Sequence, residues 1–89
     1  MRSLTTAEFR ELLAGAPEAI QAKARIAYRI WAENAAHPSL RFKKVHSTLP
    51  IFSVRIDRDW RALGVLRSDT MIWFWIGSHE DYERLLKRF

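Results

Sequence analysis

At 89 residues the chain has room for one domain with a modest core and not for a second. It contains no cysteine, which excludes disulfides and thiolate metal centres and fits a reducing compartment. The net charge of +5 is concentrated: residues 41–67 hold seven basic and two acidic side chains, while both flanks nearly cancel. A one-sided basic patch on a neutral frame is the electrostatic footprint of a phosphate-bearing partner.

The opening residues, Met1 to Phe9, contain no apolar signal core, which argues against export. The longest strongly apolar run, residues 71–76, falls far short of the ~20 residues that cross a bilayer. A soluble, cytoplasmic protein with no membrane contact is expected.

Two helices are expected first. Thr5 to Glu8 has the spacing of a capping box, and Phe9, Leu12 and Leu13 then repeat at helical intervals. Gly15 ends this helix, and Pro17 opens a second over about 17–35, with Ile20, Ala24, Ala27, Trp31 and Ala35 on one stripe. Pro38 stops it, because the residue before proline resists α geometry.

From residue 50 the period changes to two, which predicts strands at 51–56, 60–66 and 70–76. Three-residue turns would set Arg55 opposite Arg61, Leu66 opposite Thr70 and Arg61 opposite Trp75. Phe52, Val54, Ile56, Trp60, Ala62, Gly64, Ile72, Phe74 and Ile76 then share an uncharged face that should pack on the helices. Ser78 can cap a last helix, 79–88, whose Tyr82 and Leu85 or Leu86 return to the body. The fold class is thus α+β, with a helical hairpin on one face of a small antiparallel sheet and a short C-terminal helix.

The opposite face of that sheet is the predicted functional one. One end gathers Arg55, Arg61 and Trp75, with His79 just past the strand. Opposed arginines repel across a ladder unless an anion, or a local carboxylate such as Asp57 or Asp59, neutralises them. Arginine can clamp phosphate and stabilise developing charge, whereas His79 is the one group here whose ordinary pKa lies near neutrality. Trp75 could stack on a base, with Tyr82 one helical turn from His79. Such a set suffices for metal-free RNA cleavage by 2′-hydroxyl attack, while a surface histidine in a first helical turn is the equally weighted structural reading. Lys43, Lys44 and Arg58 would extend the patch. The other end shows an apolar strip: Ile51, Leu63, Val65, Met71 and Trp73.

His37 and His46 lack metal-ligand spacing and are expected in loops; no metal or cofactor is expected. No glycine-rich phosphate loop, nucleophile elbow or metalloprotease helix is present.

The succession of two helices, His37 to Val45, Ile51 to Ile56, Trp60 to Val65 and Trp73 to Leu86 resembles the RelE/ParE superfamily of bacterial type II toxins over nearly the whole chain. The resemblance implies a single domain spanning 1–89, with a short N-terminal strand at about Arg2–Thr5. It also implies an antitoxin partner that wraps and blocks the toxin. The apolar strip would then dock an antitoxin segment, or a second copy of the chain in its absence. RelE-like members cut mRNA in the ribosomal A site, and by position Arg55, Arg61 and His79 match their sites. ParE-like members lack that set and poison DNA gyrase; a degenerate, antitoxin-binding module is the third reading. Ser53 stands where a second strand lysine is often found, and Tyr82 comes earlier than the aromatic residue completing some RelE-like sites.

Overall fold

A computed structural model describes residues 2–88. In chain order the elements are β1 (Arg2–Thr5), α1 (Ala7–Ala14), α2 (Glu18–Glu33), a 3-10 turn (Pro38–Leu40), β2 (Lys43–Lys44), β3 (Ile51–Asp57), β4 (Trp60–Arg67), β5 (Thr70–Ser78) and α3 (His79–Leu86). They form one five-stranded sheet in the order β1-β5-β4-β3-β2. Four strands run antiparallel, as expected, but β1 joins β5 in parallel, so the sheet is mixed.

Local chemistry explains the helix boundaries. Thr6, not Thr5, caps α1: its Oγ1 accepts from the Phe9 amide at 3.0 Å, while Thr5 completes β1. In α2 the buried stripe is Ile20, Ala24, Ala27 and Trp31, as the 3.6-residue period requires. Ser78 caps α3 through its Oγ, which accepts from the Asp81 amide at 3.2 Å.

The two faces of the sheet carry separate cores. Beneath α1 and α2, Ala24, Ala27, Trp31 and Leu40 pack on Val54, Ala62, Met71, Trp73 and Ile76. On the opposite face, α3 lays Tyr82, Leu85 and Leu86 over Ile51, Leu63, Val65, Phe74 and Trp75.

This arrangement corrects the expected register of β5. The β4–β5 hairpin closes with the two-residue loop Ser68–Asp69, so Arg67 faces Thr70 and Leu66 faces Met71. A one-residue slip exchanges faces. Met71 and Trp73 therefore turn into the helix-side core, and Phe74 turns away from it. An irregularity then inserts Phe74 between the Gly64–Trp73 and Leu63–Trp75 pairs, which returns Ile76 to the helix side opposite Ala62. In the first hairpin Trp60 faces Asp57, and an extra residue at Ile56 restores the expected Arg55–Arg61 pair.

The predicted apolar strip is consequently not a free surface. Met71 and Trp73 lie under the helices, and Ile51 and Leu63 lie under α3, all less than a tenth exposed; Val65 is half-buried. No helix among the described residues is long and apolar enough to cross a membrane.

Candidate functional site

Ser53 and Leu63 are cross-strand partners beneath α3, with the Tyr82 hydroxyl donating to Ser53 Oγ at 3.4 Å. Two residues further along each strand come Arg55 and Arg61, directly paired and by alternation on that same face. Both are half-buried; alternation sets them on the face opposite the helical hairpin, as the sequence predicts, while Arg55 also borders a cleft at the sheet edge whose far wall is α2.

No carboxylate lies in ion-pair reach of this pair among the described residues, although the Asp57 charge acts favourably on Arg61 from further away. The Asp57 carboxylate is engaged elsewhere: Oδ2 lies 3.2 Å from Lys23 Nζ, and Oδ1 accepts from the Asp59 amide at 2.9 Å. The Arg61 guanidinium is held instead by neutral oxygens, donating through Nη1 to the carbonyls of Asp57 at 2.8 Å and Trp60 at 3.1 Å. Burial lowers the pKa of Arg61, and the charge of Arg55 lowers it further; Tyr82 opposes the shift, Arg41 adds to it and Asp57 opposes it more weakly. The guanidinium stays charged, so two cations remain side by side on this face.

Arg41 is a further cation near the pair that strand periodicity could not place. It follows the 3-10 turn with a left-handed φ of 46°, which reverses the chain, and its charge acts on Arg61. The register puts Lys43 opposite Ser53, on the arginine face, and Lys44 opposite Phe52, on the other. Arg58 is exposed in the β3–β4 loop.

On the other side of Arg61 lies β5. Gly77, not Trp75, is its cross-strand partner, because β5 has slipped. The Trp75 indole nevertheless reaches that position by lying across Gly77: a Cβ there would sit 2.5 Å from Cζ2. The missing side chain thus admits an aromatic plate beside Arg61's partner, and Trp75 remains half-exposed.

His79 begins α3, its amide donating to the Asp59 carbonyl at 2.6 Å, which ties the helix start to the β3–β4 loop. Its Nε2 lies 3.2 Å from Glu83 Oε1, one turn on. An ionised carboxylate only accepts, so neutral His79 in this contact carries its proton on Nε2 and its lone pair on Nδ1. Glu83 was missed in the sequence, although its i, i+4 spacing from His79 is the signal that could have found it. Tyr82 stands 5.8 Å from the His79 ring, but at 5 % exposure it is a packed residue and not an open stacking platform.

His37 and His46 occupy loops, as expected; each Nδ1 accepts backbone amides, from Ser39 and from Thr48 and Leu49 respectively. No group of three His, Cys, Asp or Glu among the described residues could hold a metal ion.

A second feature lies behind the sheet. Between α1 and α2 opens an apolar groove of about 470 Å³, lined by Phe9, Leu13, Tyr28, Trp31, Ile56 and Trp73, with Arg25 and Arg29 also at its wall. The indole N–H groups of Trp31 and Trp73 are buried and have no hydrogen-bond partner among the described residues. Buried donors of this kind normally find an acceptor.

Comparison with known proteins follows the same lines. The family model described as a ParE-like toxin domain matches residues 18–84. Among curated proteins none matches. The fold is similar to that in the RelB–RelE antitoxin–toxin complex from Methanococcus jannaschii, with a TM-score of 0.74 at 16% identity over 92% of this chain and 96% of that one. YafQ from E. coli gives a TM-score of 0.74 at 11% identity, covering 92% and 98%. The archaeal RelE–RelB complex from Pyrococcus horikoshii gives 0.69 at 12% identity, covering 86% and 92%.

Proposed function

The chain belongs to the ParE-like toxin domain family, and on that premise we propose that it is the toxin of a type II toxin–antitoxin pair that cleaves mRNA on the ribosome. The observation that carries this reading is the directly paired Arg55 and Arg61, with no carboxylate in ion-pair reach among the described residues, on the sheet face that α3, starting at His79, covers.

In the proposed reaction a ribose 2′-oxygen attacks the adjacent phosphorus, and the bond from phosphorus to the 5′-oxygen breaks. The products are a 2′,3′-cyclic phosphate and a 5′-hydroxyl, so one proton leaves the 2′-oxygen and one reaches the 5′-oxygen. His79 is the group that moves a proton, with Glu83 holding its ring. Arg61 and Arg55, reinforced by Arg41, bind the phosphate and stabilise the charge that grows on it. Trp75 offers a face for a base.

The decisive experiment is to induce the chain in bacteria, map the 5′ ends of cellular mRNAs and measure gyrase supercoiling in parallel. His79→Gln should keep the fold and lose about 10²–10⁴-fold of cleavage. A variant as toxic as the parent would remove the acid–base role. The ParE-like description of the family model favours one second reading, gyrase inhibition without catalysis. Intact mRNA with lost supercoiling would establish it, and neither effect would leave a module that only binds antitoxin.

The antitoxin seat we assign to the groove between α1 and α2 in place of the buried strip. Its apolar walls, with Arg25 and Arg29 beside them, fit an amphipathic segment with an acidic flank. Tyr28→Glu, at a half-exposed position, should abolish antitoxin capture without unfolding the chain. Unchanged affinity would move the seat elsewhere, and dimers of the free chain that the same change disperses would make a second copy its occupant.

A further inference from the structure

A second cleft, of about 420 Å³, opens around the edge of the sheet from the arginine pair. It exists because β2 is only two residues long and pairs with Phe52 and Ser53 alone, leaving the outer edge of β3 uncovered towards Asp57. Residues of α2 and the 3-10 turn form the opposing wall. The lining combines apolar and charged surface. Ile26, Ile30 and Ile56 are apolar, Lys23, Arg55 and Arg58 are cationic, and Asp57 adds one carboxylate.

The charges are not equivalent. Lys23 is matched by Asp57 at 3.2 Å. Arg55 and Arg58 have no carboxylate in ion-pair reach among the described residues. Arg55 also belongs to the paired arginines of the proposed active site, so cleft and site share a wall. An anion alone would need the guanidinium groups and not the isoleucines. A ligand with a charged end and a flat apolar body uses both, and the volume lies within the ~300–1,000 Å³ of pockets that hold small organic ligands.

We propose that this cleft holds the nucleotide adjoining the one bound at the arginine pair, with its base against Ile26 and Ile30 and its phosphate between Arg55 and Arg58. The proposal rests on the RNA-binding reading above. Arg55 then spans two consecutive phosphates, and the strand bends around the uncovered edge of β3 rather than running straight across the sheet.

The test uses 2′-O-methyl oligonucleotides, which cannot be cleaved, and compares a trinucleotide with a pentanucleotide by fluorescence anisotropy over a series of salt concentrations. The pentanucleotide should bind the unmodified protein roughly tenfold more tightly, the worth of one good charged contact. Arg58→Ala should remove most of that advantage and lower the salt slope for the pentanucleotide by about 0.7, the value for one phosphate contact on a single strand. Ile26→Glu, at a position 55% exposed in the free chain, should also shrink the ratio between the two oligonucleotides. Thermal melts verify that both variants fold. If both oligonucleotides bind and the ratio survives both substitutions, the cleft is not a nucleotide subsite and the RNA reading stands. If neither binds the unmodified protein at low salt, the RNA reading falls and the subsite with it. Competition by inorganic phosphate that erases the length advantage would reduce the cleft to a simple anion site.

Discussion

Replacing Gly77 by alanine should expose what holds the Trp75 indole beside the arginine pair. The new Cβ would lie 2.5 Å from Cζ2 and 2.6 Å from Cη2 of the ring. Carbon atoms in ordinary contact stand ~3.5–4.0 Å apart, so the ring must move by about 1 Å or more. Overpacking of this kind typically costs ~1–3 kcal/mol, and the half-exposed edge of an indole can yield, which favours about 1–2 kcal/mol. At 4–8 °C per kcal/mol in a domain of this size, the Tm should fall by about 5–15 °C. The cause is separable. Trp75→Leu removes the ring atoms that clash, and in a strand alanine is otherwise preferred over glycine by about 0.5–1 kcal/mol. In the Trp75→Leu background, Gly77→Ala should therefore be neutral or stabilising. Thermal denaturation of the four proteins, followed by circular dichroism, gives a coupling energy of about 1–3 kcal/mol. A coupling near zero, with Gly77→Ala equally harmful in both backgrounds, would refute the placement of the indole over Gly77.

Three further outcomes follow from the electrostatics and the loops. Arg55→Gln should stabilise the fold by about 0.2–1 kcal/mol at low salt by ending the repulsion across the Arg55–Arg61 pair, and the gain should fade as salt screens it; a shift independent of salt would point to another cause. Asp57 is pushed up by burial, but the Asp59 amide and the Lys23 ammonium outweigh that and hold its pKa below the usual 3.8. A carboxyl lowered on folding contributes stability above its unfolded value and loses it as pH falls through the folded one. From just above pH 3.8 downward the unmodified chain should thus lose more stability than Asp57→Asn, and parallel acid melts of the two would contradict this. Ser68 sits at φ 54° as the first residue of a two-residue hairpin loop, a position that favours glycine. Ser68→Gly should gain about 0.5–1 kcal/mol after the entropy of glycine is subtracted, and a lowered Tm would count against it.

The sequence carried the helical hairpin, the three long strands and the facing arginines, because alternation in β3 and the charges of the loop leave few arrangements. The Arg55–Arg61 pair was reached with a wrong turn length: a two-residue loop plus an extra residue at Ile56 gives the same register as a three-residue loop. No such compensation occurs at the start of β5. Met71 to Ile76 are six consecutive apolar residues between two covered faces, so no alternation reveals the slip or the insertion of Phe74. The burial of Ile51 and Leu63 escaped notice because nothing local says where α3 lands. Arg41 lay outside any periodic segment, and the apolar groove arises only when α1 and α2 meet the sheet.

The parallel pairing of β1 with β5 has a consequence for the order in which the molecule can be assembled. Arg2 lies opposite Thr70 and Thr5 opposite Trp73, so the first strand made waits for a partner until most of the chain has been synthesised. Pairings so distant in sequence close large loops and are slow to form. The strand they complete, β5, is also the one that leads through Ser78 into His79. The arginine pair lies on a hairpin of neighbouring strands that can close locally, whereas the edge that β1 adds to the sheet waits until β5 has emerged and folded.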